Sequence, residues 1–252
     1  MEERNIVMQF WNSVTAFAKK KKLLEKGDSL LLAVSGGPDS VVLLDYFAGR
    51  ARKMDFDLTI CHVNHNLRGA DAEADADFVR KLGERYKIKT VVCSANVKEY
   101  ASESGTGIES AARKLRYQLL LDTARKRGCS KIVTAHHGDD NAETILLNML
   151  RGTNPKGLLG IPAVRPIFRR GRKTVWLIRP FLCVGRADIE DYIRKLDLKA
   201  CKDKTNDDEY FTRNWIRNTL LPLMSEKQPQ IRRHLTEFSD RLRKYIRSEE
   251  EL

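Results

Sequence analysis

Six residues, Ser35-Gly36-Gly37-Pro38-Asp39-Ser40, follow directly on the apolar run Leu30-Leu31-Leu32-Ala33-Val34. A buried strand that ends in two glycines and then opens a helix suits a bound phosphate. Glycine lets the backbone approach an anion and adopt positive φ. The first turn of the following helix offers N–H groups and the positive end of its dipole. Ser35 and Ser40 add hydroxyl donors. Asp39 would repel phosphate unless a cation lay between them, so the loop implies Mg²⁺ as well as nucleotide. No G-x-x-x-x-G-K-[ST] occurs, which excludes the Walker type. Two glycines alone would favour a tightly packed strand–helix corner; the Ser/Asp frame shifts the reading to phosphate.

A second cluster reads His136-His137-Gly138-Asp139-Asp140-Asn141-Ala142-Glu143. In a helix starting near Asp139, Asp139 and Glu143 share a face, and Asp140 and Glu143 nearly do. These three acids can hold a second Mg²⁺ or receive the ammonium of an amine substrate. A helix start favours one acid without any function, but it explains two histidines and three acids poorly. No H-E-x-x-H spacing accompanies the histidines, so zinc is not expected. A third cluster, Cys61-His62-Val63-Asn64-His65-Asn66-Leu67-Arg68, stands where base or ribose contacts are made, with Arg68 in reach of phosphate; each histidine alone suits a structural role equally. Arg113 and Arg116 lie three apart on one helical face. Downstream, Tyr210 to Asn218 mixes arginines, amides and aromatics, a blend that stacks on and pairs with RNA bases or builds an ordinary helix buried through Trp215 and Leu220.

Short apolar runs at 58–63, 89–93 and 131–135 follow the first strand, separated by helical patterns at 40–53, 71–86, 107–127 and 139–150. This alternation predicts βαβ units and a doubly wound, mostly parallel α/β sheet, whose ligands collect beyond the carboxyl ends of the strands. The three clusters each follow a strand and should therefore face one crevice. A helix is expected at 5–25, with Lys19–Lys22 as a solvated end. After Arg151 come a Gly/Pro loop, a basic stretch around Arg169–Lys173, a strand at 175–178, a helix at 186–196 and a charged helix at 230–251.

The chain has 252 residues and a net charge of +12. Residues 1–150 carry 23 basic against 20 acidic side chains, and residues 151–252 carry 23 against 14. A surplus confined to the last part suggests a polyanion partner, although solubility alone can account for it. Five scattered cysteines without C-x-x-C fit reduced thiols in a cytoplasmic protein. No apolar run is long enough to span a bilayer, and the charged N-terminus has no secretory h-region.

Together the segments SGGPDS, HVNHNLRG, GIESAARKLRY, AHHGDDNAET, LRGTNPKGLLG, IRPF, KTN and YFTRNWIRNTLLP resemble, in order, the N-type ATP pyrophosphatase or PP-loop family, and within it the tRNA(Ile)-lysidine synthetases. The resemblance implies an adenine nucleotide alpha hydrolase-like fold. It also implies an enzyme that uses ATP and Mg²⁺ to adenylate C2 of the wobble cytidine of tRNA(Ile) with a CAU anticodon. The ε-amine of L-lysine then displaces AMP. Carried over, Ser35, Gly36, Gly37, Asp39 and Ser40 would hold pyrophosphate, with His62 and His136 beside the nucleotide. Asp39 and Asp139 would meet metal; Asp39, Arg113, Asp139, Asp140 and Glu143 would serve catalysis; Arg68, Arg213, Asn214 and Arg217 would meet the RNA. Residues 1–222 would form the catalytic domain and 223–252 a helical extension, a link toward the C-terminal tRNA-binding module of many relatives. A homodimer is compatible with this picture. One departure is Asp203-Lys204-Thr205-Asn206, where relatives carry Asp-x-Ser-Asn. Rival readings are a cytidine thiolase, which would want C-x-x-C pairs, an amidating ligase, which would want a glutaminase segment, and a non-catalytic RNA binder, which would gain nothing from carboxylates beside phosphate.

Overall fold

The computed structural model describes residues 2–67, 69–171, 173–201 and 212–250. Arg68, Asp203–Asn206, Tyr210 and Phe211, singled out above, lie outside the described residues. Strand β1 (Ser29–Ala33) sits at the centre of a six-stranded sheet of order β3-β2-β1-β4-β6-β5. Its neighbours are β2 (Asp57–Asn64) and β4 (Lys131–Val133), both parallel to it. Strands β3 (Lys89–Ser94) and β6 (Lys173–Ile178) extend the parallel array on either side, and β5 (Val164–Arg170) closes one edge antiparallel.

The unbroken apolar run of β1 follows from burial on both faces. Leu30 and Leu32 enter one core with Val42, Leu43 and Phe47 of α2 (Pro38–Met54). Leu31 faces the opposite core, packing with Leu120 and Ala124 of α5 (Ile108–Arg127). Helices α1 (Glu2–Lys20), α3 (Ala70–Tyr86) and α7 (Arg186–Leu196) share the first face. Asp45 clamps that layer: it accepts hydrogen bonds from Tyr86 and Tyr192, each at 2.7 Å, and Tyr192 in turn accepts from Trp11 Nε1 at 2.8 Å. The winding reverses between β1 and β4, so the carboxyl ends of those two strands open on one crevice.

Several elements differ from the sequence reading. The first helix stops at Lys20 rather than near residue 25, because Lys22 turns to φ 52° and sends Leu23 into the core. Lys21 is not merely solvated: its Nζ binds Asp240 at 3.1 Å. The basic stretch, given no element from the sequence, begins in strand β5, which Arg169 and Arg170 end, and Lys173 opens β6; an edge strand tolerates charge on its outer side. Helix α4 (Val97–Ser104) was not foreseen.

Helix α6 (Gly138–Leu150) carries the C-terminal elements. These are α8 (Thr212–Trp215), a π turn (Ile216–Leu220), α9 (Leu221–Lys227) and α10 (Ile231–Glu250). Ala142, Leu146 and Leu147 of α6 pack with Ile216, Leu221 and Leu235. The described part of the extension, 223–250, is thus docked on the helix that carries the acidic cluster; Ser239 Oγ also donates to Leu159 O at 2.7 Å. No helix among the described residues is long and apolar enough to cross a membrane.

Candidate active site

The loops after β1, β2 and β4 surround one cavity of about 560 Å³, within the range that holds a nucleotide-sized ligand. Ser40 Oγ organises the first loop. It donates to Gly37 O at 2.9 Å and accepts from the Ser35 and Gly36 amides, each at 3.1 Å. Gly36 holds φ +97°, and a Cβ there would lie 3.2 Å from Cys201 Sγ, so this position demands glycine. Gly37, at φ −70°, is the N-cap of α2, with Pro38 opening the helix.

The second loop meets the first through His137, whose ring is buried. On its Nε2 side lie Asp39 Oδ2 at 3.8 Å and Asp140 Oδ2 at 3.6 Å; on its Nδ1 side lies Asp139 Oδ2 at 3.7 Å. Asp39 and Asp140 therefore stand together, and Asp139 stands apart. Asp139 accepts from the Arg186 amide at 2.8 Å and meets Arg232 Nε at 2.5 Å, tying α6 to the N-terminus of α7 and to α10. The i, i+4 face expected for Asp139 and Glu143 is not the one used. Asp140 and Glu143, the i, i+3 pair that the spacing also offered, share partners, because Asp139 bends back from the first turn of α6 toward α7.

Glu143 is 1% exposed and accepts from Arg217 Nε at 2.6 Å and Arg213 Nε at 3.0 Å. The same two guanidiniums lie 3.5–3.6 Å from Asp140 Oδ1. Both arginines, expected against RNA, are turned onto carboxylates, and the shared anionic partner explains why they lie together. Asn214 lies between them on α8.

Electrostatics separate these carboxylates. Burial raises the Asp39 carboxyl above its ordinary range, aided by Asp140 and opposed by His137. Burial also opposes ionisation of Asp140, but His137, His136, the His137 amide and Arg213 outweigh it and hold Asp140 below the usual value. His136 is pushed down to about 3, first by burial and then by Arg179, Arg116 and Arg113, so it is neutral at pH 7; its Nδ1 lies 2.9 Å from Thr134 Oγ1. Burial likewise lowers His62. Its Nδ1 is 2.9 Å from Val34 O, and since a carbonyl only accepts, Nδ1 carries the proton and Nε2 is an acceptor.

Arg113 is exposed on α5 and stacks on Tyr117, with 5.3 Å from its guanidinium carbon to the ring centroid. Arg116 and His137 stand within motifs whose spacing assigns them no role, and the spacing does not single out Arg179 or Arg186. Arg179 directly follows β6, so the strand-exit rule that found the other loops would have pointed to it. Arg186 and Arg232 carried no such signal, because only tertiary packing brings them to Asp139. A Mg²⁺ site is compatible with this geometry. No group of three or more potential ligands is gathered into a cage among the described residues, but Mg²⁺ is normally held by one or two carboxylates together with substrate phosphates and water. Asp39, partly exposed at the cavity wall, can be such a ligand.

Residues 8–224 match the PP-loop domain family. Among curated proteins, the chain is 34% identical over 229 residues to the tRNA(Ile)-lysidine synthase of Geobacillus kaustophilus, covering 91% of this chain and 48% of that protein. It is 38% identical over 229 residues to that of Bacteroides thetaiotaomicron, covering 91% and 51%. The chain spans about half the length of these relatives. Among solved structures, a U34-tRNA thiolase, NcsA from Methanococcus maripaludis with its [4Fe-4S] cluster, superposes with a TM-score of 0.77 at 18% identity, covering 95% of this chain and 79% of that one. An NH3-dependent NAD synthetase from Campylobacter jejuni gives 0.51 at 15% identity, covering 97% and 94%. At these identities the two structures speak for the fold.

Proposed function

The chain belongs to the PP-loop family, and on that premise we propose that it ligates L-lysine to C2 of the wobble cytidine of tRNA(Ile) with a CAU anticodon. In this reaction the cytidine O2 attacks the α-phosphorus of ATP and pyrophosphate leaves. The lysine ε-amine then attacks C2, loses its proton, and AMP departs with the oxygen. The observation that carries the reading is the convergence of the Ser35–Ser40 and His136–Asp140 loops on one cavity, with Asp39 and Asp140 on the same side of His137. The names and the extent of the matching relatives supply the substrate class.

Each residue has a physical task in this proposal. The Ser35–Ser40 loop and the N-terminus of α2 receive the phosphates. Mg²⁺, when bound, would neutralise phosphate charge, with Asp39 as its protein ligand. Asp140, held ionised, receives the lysine ammonium and selects it from solution; neutral His136 adds no repelling charge beside it. Asp139, whose oxygens both have partners, positions α7 and α10. Glu143 orients Arg213 and Arg217, which can pass to phosphate when a nucleotide enters. His62 Nε2 offers an acceptor to the nucleoside. Such a reaction rests on placement and charge neutralisation rather than a protein nucleophile. Residues 1–222 then act as the catalytic unit, with residues 223–250 buttressing α6, and the place of action is the cytoplasm.

The test is incorporation of labelled L-lysine into a tRNA(Ile) transcript with a CAU anticodon, with ATP and Mg²⁺ supplied. ATP-dependent label there, and none in a methionine tRNA with the same anticodon, is the expected result. Release of AMP and pyrophosphate with some other acceptor and no lysine label would replace lysidine formation with another adenylating reaction.

A further inference from the structure

Three arginines stand over the ring of Tyr117, outside the phosphate loop, and a fourth is an electrostatic neighbour of the same side chain. Arg113 and Arg116 of α5 and Arg165 of β5 place their guanidinium carbons 5.3, 5.4 and 5.6 Å from its centroid. The fourth, Arg179, is 2% exposed; its Nη1 donates to Pro162 O at 2.7 Å, and its buried Nε has no hydrogen-bond partner among the described residues. Burial pushes both Arg116 and Arg179 below the ordinary arginine value, and their main electrostatic neighbours are Tyr117 and further arginines rather than carboxylates. Tyr117 shifts downward too: burial opposes this, but Arg179, Arg113 and Arg116 outweigh it. Burying guanidinium groups without carboxylate partners is costly, and a bidentate oxyanion is the ligand their geometry fits.

The cluster also has a direction. Arg116 lines the cavity near His136, whereas Arg113 and Arg165 are exposed. From Arg165 the edge strand β5 and its neighbour lead outward through Arg169, Arg170 and Lys173, all exposed. A small carboxylate would use only the inner end of such a track, while a phosphodiester chain would use its length. We propose that Arg113, Arg116, Arg165 and Arg179, gathered around Tyr117, form a second oxyanion site that grips an RNA phosphate next to the nucleotide being modified, with β5 carrying the backbone away from the cavity. This rests on the RNA-modifying reading above. The shared chemistry, an oxyanion, could alternatively come from the α-carboxylate of the amino acid.

Arg165→Ala is the informative variant, because the side chain is exposed and its removal leaves the core intact. The full chain is titrated with a fluorescent single-stranded RNA containing CAU at several salt concentrations, and AMP release is followed separately with varied lysine. The expected result is roughly five- to tenfold weaker RNA binding and a salt slope reduced by about one, with the lysine requirement unchanged. Arg169→Ala, farther along β5, should show a smaller effect of the same kind. Unchanged RNA binding with a raised lysine requirement would assign the site to the amino-acid carboxylate and overturn the phosphate assignment. Wild-type behaviour in both assays would overturn the site altogether. If wild-type protein binds the RNA but releases no AMP, while Arg165→Ala loses binding, the site stands and the lysine-ligating reading falls.

Discussion

Arg217 Nε donates to Glu143 Oε1 across 2.6 Å, joining residues 74 positions apart. With Arg213 it neutralises a carboxylate that is almost wholly buried in the first turns of α6. Removing the acid takes from both guanidinium groups their shortest carboxylate partner. Glu143→Gln should therefore lower stability by about 2–4 kcal/mol, read from the urea midpoint. A midpoint equal to the parent's would mean that Arg213 and Arg217 find solvent at no cost.

The two loop glycines should respond differently. Gly36→Ala places a side chain at φ +97° against Cys201 and should cost about 1–3 kcal/mol, with at least tenfold weaker ATP binding. Gly37→Ala has an ordinary φ of −70° and would meet only Ser35 Oγ, at 3.6 Å. Its stability should stay within about 0.5 kcal/mol of the parent. Thermal unfolding with and without ATP separates the two.

Asp39 and Asp140 share one side of His137 but differ in charge balance. Asp39→Asn should abolish pyrophosphate release. Asp140→Asn should leave release measurable while raising the lysine concentration needed for half-maximal ligation about tenfold or more. Equal loss of pyrophosphate release in both variants would remove the division of labour between phosphate and amine.

Acid should weaken the fold before the carboxylates titrate. His136, near 3, and His62, also lowered, bind protons in the unfolded chain around pH 6.5 but not in the native one. The unfolded state thus binds more protons, and stability falls as pH drops below about 6.5. The loss per site is at most about 1.4 kcal/mol per pH unit. Asp39, raised in the fold, acts in the opposite sense near its own range. Urea midpoints at pH 7 and pH 5 should show the decline, and His136→Gln should reduce it.

The sequence by itself determined the α/β winding and the loops that follow β1, β2 and β4. Burial on both faces makes β1 a continuous apolar run, and the strand-exit rule then aims Ser35–Ser40, His62 and His136–Glu143 at one crevice. These signals are local, so a linear reading finds them. Only the tertiary structure decided which acids stand together. Spacing offered Glu143 with either Asp139 or Asp140, whereas in space Asp39 and Asp140 share one side of His137, and Arg186 and Arg232 draw Asp139 away. It also decided that β5 is a strand, since charged residues on an edge hide its period of two, and that four arginines from α5, β5 and the end of β6 become neighbours of Tyr117. Electrostatic partners are chosen by distance in space, and the chain's own order carries no record of that distance.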